Sequence, residues 1–441
     1  MAPISAGDIV PHIGQADDNH RRRPLPTQDA SLVDCSPGSG ESMNDAKPDC
    51  PSLDVDPFSR EFLADPYLVH ERLREAGPVV WLEQYGVVAM ARYAEVRDAL
   101  QNWKTFCSSR GGGLTDFARE KPWRPPSIVL EADPPLHTRT RGVLSKVLAR
   151  GALERFREPF KAKAEALVRD VLSRGELDAV RDLAEVYPLS VFPDAIGLRN
   201  EGRENLLPYG NMAFNAFGPR NELFEESFAN AQKVIGWIQA QCRRSALTPD
   251  GIGAQVYAAA DQETVSEDEA GLLVRSLLTA GLDTTIFGIG AALYCFAQFP
   301  DEWQALRANP QKVRAAFEEV IRYISPVQTF FRTTTAPVEV AGVQIPADQK
   351  VLLFLAAANR DRRQWEDPER FDISRKTLGH VGFGYGIHAC VGQMVARLEA
   401  EILLTELARQ VASIELVGEP VWRLNNTLHG LDRLPVRLHA A

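Results

Sequence analysis

Cys390 is set in the run Phe383-Gly384-Tyr385-Gly386-Ile387-His388-Ala389-Cys390-Val391-Gly392. Glycines on both sides of the cysteine let the backbone turn sharply and approach a flat ligand closely. A helix is expected to begin at the cysteine. That would set the sulfur against unpaired amides and the positive end of the helix dipole. Both effects favour a thiolate, the form of cysteine that acts as nucleophile or metal ligand. The other cysteines, Cys35, Cys50, Cys107, Cys242 and Cys295, form no Cys-x-x-Cys pair and no His/Cys cluster with zinc spacing. A long chain without a secretory leader fits a reducing compartment better than a disulfide framework.

A second constellation is Ala280-Gly281-Leu282-Asp283-Thr284-Thr285. Gly281 weakens a helix locally, and threonine hydroxyls can bond back to carbonyls one turn earlier. Such openings in a helical ladder accompany functional sites. Asp283 beside Thr284 sets a carboxylic acid next to an alcohol. The acid can relay protons and the hydroxyl can hold the water that carries them. Glu319 and Arg322 stand at i,i+3, a spacing that as a bare pattern is worth a few tenths of a kcal/mol, roughly. His137 and Arg141 share one helix face at i,i+4, and Arg332 opens a strand.

Phe383, Gly384, Gly386, His388, Cys390 and Gly392 match the haem-binding loop of the cytochrome P450 family position for position. The chain resembles that family over nearly everything after about residue 54. The resemblance implies a mainly α fold with minor β, a triangular helical prism. It places haem b (iron protoporphyrin IX) between a long central helix and the thiolate-bearing loop. Cys390 would be the iron ligand, with Phe383 and Gly384 beside the cofactor. His137, Arg141, Arg332 and His388 would hold the propionates. Asp283 and Thr284 would serve oxygen activation, since a thiolate on haem iron favours O–O cleavage. Glu319 and Arg322, with Arg370 as third member, would pin the loop before the cysteine.

The chain carries no Gly-x-Gly-x-x-Gly after a strand and no four-cysteine cluster, hence no flavin or iron–sulfur module of its own. The resemblance then implies electrons from an iron–sulfur ferredoxin and its NAD(P)H-dependent reductase. The ferredoxin would dock on the face near Cys390, where basic residues such as Arg397 help. Two other readings stand beside a dioxygen-using monooxygenase. One is a peroxide-driven haem-thiolate enzyme, against which the Asp283-Thr284 pair weighs. The other is a non-catalytic haem sensor, which would need no proton relay.

Arg124 and Ser127 lie in the proline-stiffened segment Lys121-Pro122-Trp123-Arg124-Pro125-Pro126-Ser127, and Arg275-Ser276 lies about one turn before Ala280. Arginine grips a carboxylate through a planar fork. Phe214, Phe217 and Phe330 can line an aromatic slot. These segments resemble a bacterial branch of the family that oxidises para-substituted benzoic acids such as para-methoxybenzoate. The likeness implies a carboxylate clamp of Arg124, Ser127 and Ser276 with Arg275 nearby. Phe217 and Phe330 would lie on the ring, and Ala280 would abut it near the iron. Thr279 stands where that branch has serine, and the N-terminal tail is longer here.

The elements that must position these residues follow from periodicity. Ser266-Glu267-Asp268-Glu269 reads as a capping box. It opens a helix free of proline until Pro300, roughly 50 Å long at 1.5 Å per residue. Helices are also expected over about 311–323 and from Cys390 to about 412. A small hairpin is expected from Val79–Leu82 and Val87–Met90, with short strands near 338–341 and 351–354. Residues 108–127 read as a long functional loop. Residues 1–53, rich in Pro, Gly, Ser and Asp, read as a flexible tail ahead of a single catalytic domain over 54–441. Of 441 residues, 45% are hydrophobic, enough for a core that encloses a cofactor. A net charge of −10 disfavours a nucleic-acid partner. No apolar run appears long enough to cross a bilayer. The whole reads as a monomeric enzyme of the bacterial cytoplasm.

Overall fold

Short apolar runs rich in Val and Leu build one six-stranded sheet. Its strands are β1 (Ser52–Leu53), β2 (Val80–Leu82), β3 (Val87–Met90), β4 (Phe106–Cys107), β5 (Thr329–Thr334) and β6 (Lys350–Phe354), in the order β1-β2-β3-β6-β5-β4. The computed structural model describes residues 47–441. The expected hairpin is present, with Val80 opposite Ala89 and Leu82 opposite Val87. Order begins before residue 54, because Ser52 and Leu53 pair in parallel with Trp81 and Leu82 of β2. Residues 1–46 of the expected tail lie outside the described residues. The described residues form one compact unit.

Helices dominate that unit. The ones that matter for the site are α1 (Leu136–Val147), α2 (Arg157–Arg174), α3 (Leu206–Asn215), α4 (Glu267–Ala280), α5 (Asp283–Gln298), α6 (Val313–Tyr323) and α7 (Gln393–Gln410). Phe160, Ala164, Val168 and Val171 recur every three to four residues along α2 and are buried, and this stripe packs against α7. The second half of the central helix is buried almost all round, as an apolar helix in a core must be. The stretch Glu267–Gln298 is in fact long and apolar enough to cross a membrane, which amends the expectation from sequence, but 67% of its apolar window is buried inside the protein.

The capping box forms as expected: Ser266 Oγ accepts from the Glu269 amide, and Glu269 returns the bond to the Ser266 amide. The helix it opens is not continuous. Gly281 and Leu282 interrupt it and divide α4 from α5. A Cβ at Gly281 would fall 2.2 Å from the Phe192 ring, so only glycine lets that ring approach the break. Helix α7 likewise starts later than expected, at Gln393 rather than Cys390. Gly384 and Gly386 take positive φ angles of 69° and 67° and fold the chain back, so that the Cys390 amide donates to the Phe383 carbonyl at 2.7 Å. That bond commits the cysteine to the turn, and the helix opens only after Gly392.

Candidate active site

The sulfur of Cys390 still meets the helix start. The Gly392 and Gln393 amides and the Arg141 and Arg397 guanidiniums pull its pKa down, but burial outweighs them and leaves the thiol above its ordinary value. Cys390 keeps exposed surface even though protein surrounds it on all sides. Its open face therefore looks into an interior space and not into bulk solvent. Ala280, at the end of α4, is also exposed within a helix whose flanks are buried. A flat cofactor between the two elements would cover both.

Basic groups gather at one edge of this loop. The His137 and His388 rings lie 4.4 Å apart. Arg332 on β5 is buried, and its guanidinium donates only to the neighbouring Phe331 carbonyl, at 2.7 Å. Arg141 donates to the Ala389 carbonyl. Burial pushes the pKa of His137 down to about 4, with His388 and Arg141 adding repulsion, and that of Arg332 down to about 10. His388 is lowered by the same cause, which Asp133 opposes. His137 Nε2 and His388 Nε2 have no hydrogen-bond partner among the described residues, where Asp133 lies 3.7 Å from His388.

At the helix break, Thr284 Oγ1 donates to the Ala280 carbonyl at 2.9 Å, and Thr285 makes the longer equivalent to Gly281 at 3.4 Å. Asp283 is buried and its Oδ1 has no partner. Burial raises its pKa to about 8, with Arg423 opposing and Glu185 adding to the rise. It is an acid protonated at neutral pH. Gly210 of α3 lies against this carboxyl; a Cβ there would fall 2.0 Å from Oδ2.

On the substrate side, Ser127 Oγ and Ser276 Oγ are 3.2 Å apart. Arg275 is buried, and among the described residues its guanidinium donates only to the Pro125 and Pro126 carbonyls, at 2.7 and 3.2 Å. The Phe217 and Phe330 rings meet edge to face at 5.6 Å, and Phe214 meets Phe217 at 6.0 Å. Arg124 is brought to the same loop but is not free. Glu131 Oε2 accepts from its Nη1 at 2.9 Å and from the Ser127 amide at 2.7 Å.

A model of the cytochrome P450 family matches residues 221–411. Cytochrome p450 CYP199A2 of Rhodopseudomonas palustris is 58% identical over 392 residues, 89% of this chain and 95% of its own length. The chain belongs to the cytochrome P450 family. Among solved structures, P450 CYP109Q5 from Chondromyces apiculatus is 31% identical with a TM-score of 0.75, covering 88% of this chain and 99% of its own. The P450 CREJ, solved with (4-ethylphenyl) dihydrogen phosphate, is 26% identical with a TM-score of 0.77, covering 87% and 99%. As a P450, the protein takes haem b and is a monooxygenase.

The residues present fit that cofactor. The unpartnered nitrogens of His137 and His388, with the Arg332 and Arg141 guanidiniums, make a basic edge suited to two propionates. The exposed sulfur of Cys390 would supply the thiolate ligand.

Two expectations about this P450 are corrected. Arg370 is not the third member of the Glu319–Arg322 cluster. Its side chain is exposed, and only its carbonyl takes part, accepting from Arg322 at 3.4 Å. Arg375 takes the place, with its Nε 3.2 Å from Glu319 Oε1. Asp367 has a positive φ of 41°, and this turn carries the chain five residues further before an arginine points inward. Arg397 is not an outward basic group. It pairs with Glu318, which also binds His380 at 2.8 Å, and lies 4.5 Å over the Phe383 ring. Glu318, His380, Arg375 and Glu131 were missed from sequence. Glu318 adjoins Glu319 in one helix, and nothing in the spacing says which acid faces which arginine.

Proposed function

We propose that this P450 hydroxylates or O-demethylates para-substituted benzoic acids in the bacterial cytoplasm, as a monomer. Its electrons come from an iron–sulfur ferredoxin and an NAD(P)H-dependent reductase. The observation that carries the reading is the pairing of a polar end with an aromatic slot. The Ser127–Ser276 hydroxyls stand beside a buried Arg275 that has no carboxylate partner among the described residues, and the slot is walled by Phe217 and Phe330. A buried cation without a counter-charge is costly, and a substrate carboxylate would relieve that cost. Arg124 is already neutralised by Glu131, so Arg275 supplies the charge and the two hydroxyls supply direction. The ligand of CREJ, an aryl anion with a para alkyl group, has the same outline.

Haem, when bound on Cys390, supplies the activation of dioxygen and the insertion of one oxygen atom. The chain's own residues arrange what surrounds that event. The clamp fixes the carboxylate, and the ring slot turns the opposite, para, substituent toward Ala280. Asp283, protonated at neutral pH, holds a proton beside Thr284, whose Oγ1 sits at the open turn where a water can be held. A methoxy group hydroxylated on its carbon collapses to a phenol and formaldehyde. The test is a spectral titration of para-methoxybenzoate against its methyl ester. A charge-assisted bond is worth about 1.5–3 kcal/mol, so the ester should bind about tenfold to a hundredfold more weakly. Equal spin-state shifts and affinities for acid and ester would remove the clamp from the proposal.

A further inference from the structure

Lys350 opens β6 and is buried, with its side chain turned into the protein. Its ammonium donates to three backbone carbonyls: Arg110 at 3.1 Å, Gly111 at 3.1 Å and Gly113 at 2.9 Å. Three N–H donors meet three acceptors, so the count closes. No carboxylate among the described residues is in contact with it. Asp116 and Glu131 act on it only at longer range, and Arg110 opposes them while itself bound to Asp116 and Asp348. Burying a charge this way is expensive, and the loop it holds has few other anchors because Gly111, Gly112 and Gly113 have no side chains.

That loop is threaded tightly between the sheet and the aromatic slot. The Gly112 carbonyl accepts from the Phe331 amide on β5 at 2.9 Å, and the Leu114 amide donates to the Phe217 carbonyl at 2.8 Å. A Cβ at Gly113 would fall 2.6 Å from Phe217 Cα, so backbone lies on backbone there. Phe217 in turn sets its ring against Phe330, the residue before Phe331. A chain of direct contacts therefore runs from the ammonium, through three glycines, to both walls of the slot.

We propose that Lys350 is a positioning residue for substrate. Its ammonium gathers the carbonyls of Arg110, Gly111 and Gly113, and through that loop it sets Phe217 against Phe330. The inference rests on the aromatic-substrate reading above and names the group that holds its slot in register. Lys350 touches no reacting atom.

Protonation separates positioning from bare stability. Burial lowers the pKa of Lys350 to about 8, Asp116 opposing; Cys107, Arg110 and Glu131 also face it. Above that pH the neutral amine has two N–H donors for three carbonyls, and one carbonyl loses its partner. Slot order then falls. Global stability moves the other way. The folded pKa lies below the ordinary lysine value of 10.5, so between about 8 and 10.5 the unfolded chain binds more protons and stability gains as pH rises.

The test uses the haem-loaded enzyme, with para-methoxybenzoate as probe. Lys350→Met should keep the long-wavelength Soret band of the reduced carbon monoxide complex. It should bind the probe about tenfold more weakly, equivalent to roughly 1.4 kcal/mol, with a smaller spin-state shift. In the unsubstituted enzyme, affinity should fall as pH passes about 8, while in Lys350→Met it stays flat. A variant that binds the probe like the parent, or a parent whose affinity does not change across about pH 8, overturns the proposal. If Lys350→Met does not take up haem, the pH series of Asp283→Asn decides, because Asp283 also ionises near pH 8 in the parent. Failure of the parent to prefer acid over ester at neutral pH would instead count against the benzoate reading.

Discussion

Replacing Arg375 by alanine should damage this protein far more than replacing Arg370. Arg375 reaches Glu319 at 3.2 Å and donates to the carbonyls of Glu366, of Asp367 at 3.0 Å and of Arg370 at 3.1 Å. Glu319 itself is fully buried, bound by both arms of Arg322 at 2.7 and 2.8 Å and by the Asp372 amide at 3.1 Å. Removing one partner of a buried ion cluster costs about 3–5 kcal/mol. Because Glu319 keeps Arg322, the low end, about 3 kcal/mol, applies. Unfolding entropy of about 2.1 cal/mol/K per residue, over the roughly 395 described residues, gives about 0.8 kcal/mol/K, so Arg375→Ala should lower the melting temperature by about 4 °C. Arg370→Ala, at an exposed side chain, should stay within about 0.5 kcal/mol, or under 1 °C. The assay is paired thermal melting of the two haem-loaded variants, with haem content measured beside it, because this cluster ties helix α6 to residues 366–372. Equal losses, or a larger loss for Arg370→Ala, would refute the assignment of Arg375 to the cluster.

Asp283→Asn should cut ferredoxin-driven turnover by about 10²–10⁴-fold while leaving the substrate-induced spectral shift intact, and parent turnover should decline as pH rises through about 8, where the acid ionises. The raised pKa also makes Asp283 a cost: stability falls as pH rises from 3.8 toward about 8, so Asp283→Asn should melt higher than the parent near neutrality, measured by calorimetry. Gly210→Ala, whose Cβ would fall 2.0 Å from Asp283 Oδ2, should slow turnover with the carbon monoxide spectrum unchanged; full activity in that variant would mean that the carboxyl does not need its place. His429 is buried, stacked 4.1 Å from Trp422, and held by burial at a pKa of about 3. Its folded pKa lies below its unfolded one, so its share of stability is complete above about 6.5 and drains away as pH falls toward 3. His429→Phe should flatten that part of the acid melting profile.

Much of the site was legible because its chemistry is local. Gly384, Gly386 and Cys390 lie within one turn of chain, and a turn needing positive φ favours glycine. The capping box at Ser266 and the hairpin before β3 are short-range for the same reason. The break at Gly281 was half legible. The glycine hinted at a looser helix, but the interruption depends on the Phe192 ring, some ninety residues away in the chain. Side-chain partners were the least legible. Arg370, Arg375 and Arg397 are alike as residue types; which of them reaches Glu319, which reaches Glu318 and which faces water depends on how the chain turns after Asp367.

The sequence by itself determined the thiolate loop, the acid–alcohol pair at positions 283 and 284, the helical class and the membership in the P450 family. These rest on residue types at fixed short spacing, where backbone geometry leaves few alternatives. The tertiary structure alone decided that Glu131 neutralises Arg124, that Arg275 is left as the uncompensated cation, and that Lys350 gathers the glycine loop behind Phe217. Each of these is a contact between charged or polar groups on separate segments. Long flexible side chains can satisfy several partners, and only the packed fold brings one partner within reach.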